Sequence, residues 1–185
     1  MGERKRTREP QIVRGVLAGI AGGLAAAWVM NQFMAGPGKK LKQVVQSEEQ
    51  NWHDDIEEVE AAAKGLKEDA TMKAADAIVT VVTGGRHLSR EEKEKAGPAV
   101  HYAFGALMGG LYGGLAEYSP TVTAGAGTTF GGVLFGGADL LAVPALKLSP
   151  PEANTISRAL VSPFAAHIVY GATTEVVCRA VRSLL

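Results

Sequence analysis

The chain has 185 residues, enough for one ordinary domain, and balances 19 Lys+Arg against 19 Asp+Glu for no net charge, which gives no footing for a nucleic-acid partner. Cys178 is the only cysteine, so an intrachain disulfide is excluded. The 23 glycines exceed the ~7% average usage, and the excess falls inside apolar segments.

Residues 12–35 are the first of four stretches that reach the roughly 20 apolar residues needed to span a bilayer. "IVRGVLAGIAGGLAAAWVMNQFM" carries Arg14 as its only charge and follows the basic "GERKRTR". Its apolar run is longer than the roughly 7–15 residues of a secretory leader and lacks a convincing small-residue cleavage site, so it is read as a retained span.

Residues 36–98 are a polar insert. Val45, Trp52, Ile56, Val59, Ala63 and Leu66, then Met72, Ala75, Ile78, Val79 and Val82, recur at helical spacing from Lys39 to Thr83. Gly84-Gly85 ends that pattern, and Ser89-Arg90-Glu91-Glu92 is a capping box opening a short charged helix. Gly97-Pro98 is expected to break the chain before the next span. The insert is read as lying on the membrane surface or capping the bundle, with "IVTVVTG" (78–84) dipping toward the headgroups. "HDDIEEVE" (53–60) spreads its charges around a helix, as a solvated helix would, rather than gathering metal ligands on one face.

The second span, 99–117, holds "FGALMGGLYGGLAE". The third, 121–146, is interrupted by Asp139, and the fourth, 159–181, contains His167 and Glu175. Pro144 and Ser162-Pro163-Phe164 are read as kinks. The expected fold is therefore all-α: a polytopic membrane protein of four transmembrane helices with a helical extramembrane insert between the first and second. A soluble helical fold with a glycine-rich core is the alternative, but these segments lack polar faces over most of their length.

Where no hydrophobic effect drives helices together, small residues every fourth position allow close backbone contact. Gly15, Gly19 and Gly23 form such a row in span one, and Gly105, Gly109 and Gly113 in span two, beside a second row of Ala106, Gly110 and Gly114. Span three has Gly127 with Gly131, and Gly132 with Gly136. These are read as packing faces, with a glycine-lined pore or ligand groove as the alternative.

Ionisable groups within spans are costly and face protein or water. By helical rise, His101, Asp139 and His167 share the outer half of the bundle, while Arg14, Glu117, Glu175 and Arg179 share the inner half as ion pairs, Arg14 with Glu117 and Glu175 with Arg179 at i, i+4. The outer trio reads as a protonatable cluster able to titrate near pH 6. Two other readings stay open: the histidines fasten helices through backbone hydrogen bonds, or two histidines and an aspartate hold zinc. No HExxH, phosphate-binding glycine loop or GxSxG is present, and Ser162 with His167 at i, i+5 is a poor nucleophile–base pair. A non-enzyme without cofactor or resident metal is expected.

"VHYAFGALMGGLYGGLAEYSP", "GGVLFGGADLLAVPALKLSPPEAN" and "AAHIVYGATTEVVCRAVR" together resemble the YagU-type family of small bacterial inner-membrane proteins. The likeness runs from Val100 to Arg182: a His opening span two, Glu117-x2-Pro120 closing it, the Pro150-Pro151 loop, and His167-x7-Glu175 with basic Arg179. The resemblance implies a multi-pass inner-membrane protein associated with survival under acid stress, with no catalytic residues or cofactor. Arg4, Lys5, Arg6, Arg8 and Arg14 at one end and Arg179 and Arg182 at the other favour cytoplasmic termini. The expected partner is the lipid bilayer, with a membrane-protein partner or a homo-oligomer beside it. The alternatives in function are an accessory or assembly subunit of a larger membrane complex and a small transporter or channel.

Overall fold

The computed structural model describes residues 11–47, 68–148 and 160–185, and among these it is helical, with no strand. The expectations for 52–66, for 53–60 and for the Pro150-Pro151 loop lie outside the described residues. Helix α1 spans Ile12–Ala35, and α2 follows at once from Pro37 to Ser47. Proline suits that first position because its missing N–H would have no intrahelical acceptor there.

Helix α3 (Ala70–Thr83) and the start of α4 (Arg90–Tyr118) form a charged hairpin. Asp69 caps α3 by accepting from the Met72 amide at 2.8 Å, and Gly84 ends it in the left-handed region with φ of 74°. Ser89 and Glu92 close a reciprocal capping box, with the Glu92 amide donating to Ser89 Oγ at 3.3 Å and the Ser89 amide to Glu92 Oε2 at 2.9 Å. Inside the hairpin Asp76 accepts from the Leu88 amide at 2.6 Å, contacts His87 Nδ1 at 3.1 Å and lies 3.4 Å from Lys93 Nζ, which also reaches Glu68 at 2.9 Å.

The Leu88 amide, then His87 and Lys93, hold the Asp76 carboxyl below its ordinary 3.8. A carboxylate depressed in the folded state stabilises it fully above the unfolded value and loses that contribution as pH falls through the folded value. The Asp76→Asn variant is therefore expected to show faster amide exchange at Leu88 and faster proteolysis between Gly84 and Ser89 at neutral pH. Acidifying the wild type below its ordinary carboxylate range should reproduce the same loosening, whereas exchange at Leu88 that ignores both changes would contradict it.

Helix α4 does not stop at Gly97-Pro98 as expected. It runs unbroken through Pro98, so the capping box opens a helix of 29 residues rather than a short separate one. Gly97 is buried against α3, where an added Cβ would lie 3.2 Å from Met72 Cγ, and this packing carries the helix across the residue whose ring removes one backbone hydrogen bond. Pro163 likewise sits in the first turn of the last helix, α6 (Val161–Leu184), where it makes no kink.

Between them, Pro120–Gly127 makes a 3-10 turn and then a true break. Ala124 is extended, and Gly125, Ala126 and Gly127 take positive φ of 64°, 53° and 85°. Helix α5 (Thr128–Phe135) then continues through a π-helical stretch, Gly136–Ala142, and a last turn, Val143–Ala145.

Among the described residues, two segments, Ile12–Ala35 and Pro120–Ala145, are long and apolar enough to cross a membrane. The apolar parts of α4 and α6 do not meet the same mark: Gly, Tyr, His101 and Glu117 lower the one, and His167, Glu175 and the arginines lower the other.

The helices alternate in direction. Gly15, Gly19 and Gly23 of α1 meet Gly113, Gly109 and Gly105 of α4 in antiparallel order, backbone on backbone: a Cβ on Gly15 would lie 2.5 Å from the Gly113 carbonyl oxygen. A second face of α1 meets α6, where a Cβ on Gly22 would lie 2.7 Å from the Thr174 carbonyl oxygen. Gly127 and Gly131 bring α5 against Gly171 and the His167 carbonyl of α6. Gly132 and Gly136 make no such backbone contact: a Cβ on Gly132 would meet only the Phe164 and Ile168 side chains of α6, at 3.8 Å or more, and one on Gly136 would meet nothing within 4 Å.

The interior is correspondingly small and partly polar: Ala18, Ala26, Ala27 and Ala166 beside Tyr112, Tyr170, Ser162, His167, Thr174 and Glu175. The large apolar side chains point outward. Leu107, Leu111 and Leu115 are 59%, 52% and 54% exposed in one stripe of α4, and Leu17, Trp28, Val133, Leu141 and Val176 are more than half exposed on the other helices.

Candidate functional site

Two layers of polar groups sit at opposite ends of the bundle. At one end, α5 and α6 bring Asp139 and His167 together, with Asp139 Oδ2 at 3.7 Å from His167 Nδ1. Asp139 lies in the π-helical stretch, where an extra residue per turn widens the helix, a feature that recurs at functional positions. The same Nδ1 lies 3.0 Å from the Pro163 carbonyl oxygen, one turn back, and the Phe135 ring packs 5.5 Å from the imidazole. The His167 side chain is 9% exposed and that of Asp139 36%, so the imidazole is enclosed while the carboxylate reaches outside.

The Pro163 carbonyl fixes the ring, with Nδ1–H donating to it, and Asp139 supplies a negative charge just beyond hydrogen-bond distance. The third member of the expected cluster stands apart. No hydrogen bond or ion pair joins His101 to either group, and its Nε2 is buried without a hydrogen-bond partner. Shared depth placed it with the other two, but α4 packs chiefly on α1. A zinc site of two histidines and an aspartate is not assembled, and no group of three potential ligands is found among the described residues.

At the other end the carboxylates are buried and tied to several helices. Glu175 accepts from Tyr112 Oη at 2.7 Å and pairs with Arg179 one turn on. Glu117 pairs with Arg182 at 2.6 Å and accepts the Gln11 amide at 3.2 Å. The expected partner of Glu117 was Arg14. Instead, Arg182 reaches it from the parallel helix α6, and Arg14 donates to Gln11 Oε1 at 3.1 Å.

Midway, Tyr170 donates to the Gly105 carbonyl at 2.6 Å, so a glycine chosen for close approach also accepts a side-chain hydrogen bond. Ser162 donates to the Gly38 carbonyl at 2.9 Å and fastens α6 to the start of α2. Sequence reasoning missed Tyr112, Tyr170 and Arg182. The signal was a phenol inside an apolar run, which needs a partner for its hydroxyl when buried.

Residues 83–176 match the family described as "Protein of unknown function (DUF1440)". The chain belongs to that family. The DUF1440 segment takes in the loop before α4, all of α4 and α5, and α6 as far as Val176. His101, Tyr112, Asp139, His167, Tyr170 and Glu175 thus lie inside it, while α1, Arg179 and Arg182 lie outside. No curated protein and no solved structure matches the chain.

Proposed function

We propose that this DUF1440 protein is a YagU-type, four-span helical bundle of a bacterial inner membrane with cytoplasmic termini. It has no enzymatic activity of its own and serves acid-stress or envelope physiology through the outward-facing pair His167 and Asp139, with His101 as a second protonatable group at that level. One observation carries the membrane placement: glycine and alanine fill the interior while leucine, valine and tryptophan cover the outside. A water-soluble bundle buries its large apolar side chains, and a contiguous apolar exterior marks a surface meant for lipid or protein. The alternating direction of α1, α4, α5 and α6 supports four crossings, with the α3–α4 hairpin left outside.

Alkaline carbonate extraction should leave the chain in the membrane pellet, and its release into the supernatant would overturn the placement. The acid role rests on the enclosed imidazole beside a carboxylate and on the family resemblance. Cells carrying His101→Gln with His167→Gln should survive acid challenge less well than wild type, and Asp139→Asn should act in the same direction. Wild-type survival in both strains would sink the sensing role.

A second reading, an accessory subunit of a larger membrane complex, draws on Ile78, Val81 and Val82 of α3, which are 54%, 82% and 79% exposed in a charged hairpin. Native-detergent purification that yields only a small single particle would count against it.

A further inference from the structure

We propose that the open end of the bundle, between the start of α1 and the end of α6, is a binding site for a phosphate-bearing anion, supplied by the headgroup of an anionic phospholipid. A cavity of about 420 Å³ opens there, lined by Gln11, Arg14, Arg179, Arg182, Ser183 and Leu185. That volume lies within the range of small-ligand pockets, roughly 300–1,000 Å³.

Three guanidinium groups converge on it, and their state of pairing is uneven. Arg182 and Arg179 are each held from below by a buried carboxylate, Glu117 and Glu175, whose side chains are 6% and 4% exposed. Those carboxylates fasten the two arginines without occupying the cavity. Arg14 has no such partner: it donates to the neutral Gln11 side chain, and no carboxylate among the described residues lies within ion-pair distance of it. Arg14 is thus the one of the three guanidinium groups whose partner among the described residues is a neutral amide rather than a carboxylate.

The α1 terminus adds to this. Its first turn carries no acidic residue, and the Gln11 side chain caps no amide. The opening N–H groups of a helix have no intrahelical acceptor and carry the positive end of its dipole, to which phosphate binds readily. Glu117 takes the Gln11 amide itself, leaving those of the following turn directed toward the open end. Planar guanidinium groups recognise phosphate oxygens in pairs, and basic pockets between helices at a membrane surface hold anionic headgroups.

The choice of a headgroup rests on the proposed membrane placement, whereas recognition of phosphate does not. The test is thermal unfolding of the purified full chain in detergent micelles, titrated with phosphatidylglycerol, phosphatidylcholine or inorganic phosphate. Phosphatidylglycerol should raise the melting temperature of wild type above the phosphatidylcholine level. Arg14→Gln, which strands no carboxylate, should weaken the apparent affinity about fivefold, the effect of one cation near a membrane surface. Lys40→Gln, which removes a charge at the opposite end of α1, should leave it unchanged.

If inorganic phosphate alone gives the same Arg14-dependent stabilisation, the anion site stands and its source is a free phosphate. Equal responses to the two lipids with none to phosphate, or an Arg14→Gln protein that responds like wild type, would overturn the inference. A chain released by carbonate extraction that still shows the Arg14-dependent phosphate response would overturn the membrane placement alone.

Discussion

Gly109→Leu is expected to drive α1 and α4 apart and to abolish cooperative thermal unfolding in detergent. A Cβ at this position would lie 2.6 Å from Gly23 Cα, and its other near neighbours are also backbone, the Gly23 nitrogen and the Gly19 carbonyl oxygen. A flexible side chain can move aside, but two helix backbones can yield only by separating. Overpacking of an ordinary core costs about 1–3 kcal/mol, and here the separation would also open the Gly15–Gly113 and Gly23–Gly105 contacts above and below. The expected loss therefore lies at or beyond the upper end of that range.

Gly136→Ala is the matched control. Nothing lies within 4 Å of its added Cβ, and its φ of −60° is helical. Replacing glycine by alanine in such a position stabilises by about 0.4–1 kcal/mol, so the melting temperature should hold or rise. A Gly109→Leu protein that melts within a degree or two of wild type would refute the packing account.

Tyr112→Phe should be the most damaging of the single-atom deletions. The Tyr112 side chain is fully buried, and its hydroxyl donates to the carboxylate of Glu175, itself 3% exposed. Removing the hydroxyl leaves a buried carboxylate oxygen short of a donor, a loss of about 1–3 kcal/mol. Glu175→Gln should cost less, because the amide oxygen still accepts from Tyr112. Glu175→Leu strands the phenol and releases Arg179, and it should cost at least as much as Tyr112→Phe.

The double variant Tyr112→Phe/Glu175→Leu provides the decisive measurement. Thermal or denaturant unfolding should show it less destabilised than the sum of the singles, since the second change removes the group that the first left unsatisfied. Strict additivity would mean that the two side chains act independently.

Much of the helical framework was legible in the residues, and the reasons are local. The Ser89–Glu92 box and the Gly84 stop each depend on a few neighbouring positions, and both are found in place. What failed to read was relational. Gly97-Pro98 looks like a stop, yet Met72, brought back by a turn at Gly84, packs on it and carries the helix through. The partner of Glu117 depends on whether α6 runs parallel or antiparallel to α4, which no spacing within either helix records. His101, Asp139 and His167 share a depth, but depth is one coordinate, and the angle around each helix separates the first from the other two. The break at Ala124–Gly127 was masked because threonine, alanine and glycine continue an apolar run while the backbone leaves it.

The two partners of α1 also have consequences for the order of events at the ribosome. One face of α1 is covered by α4, but the other waits for α6, as the Ser162 hydroxyl against the Met34 sulfur shows across 128 residues. At a synthesis rate of roughly 5–20 residues per second, Gly22 emerges about 8 to 30 s before Thr174, the residue of α6 that covers it. During that interval a bare strip of small residues is open to any passing helix. Chaperoning by lipid, by an insertase or by a neighbouring chain would have its greatest effect then, and a nascent chain stalled between α5 and α6 is the species in which such an escort would be caught.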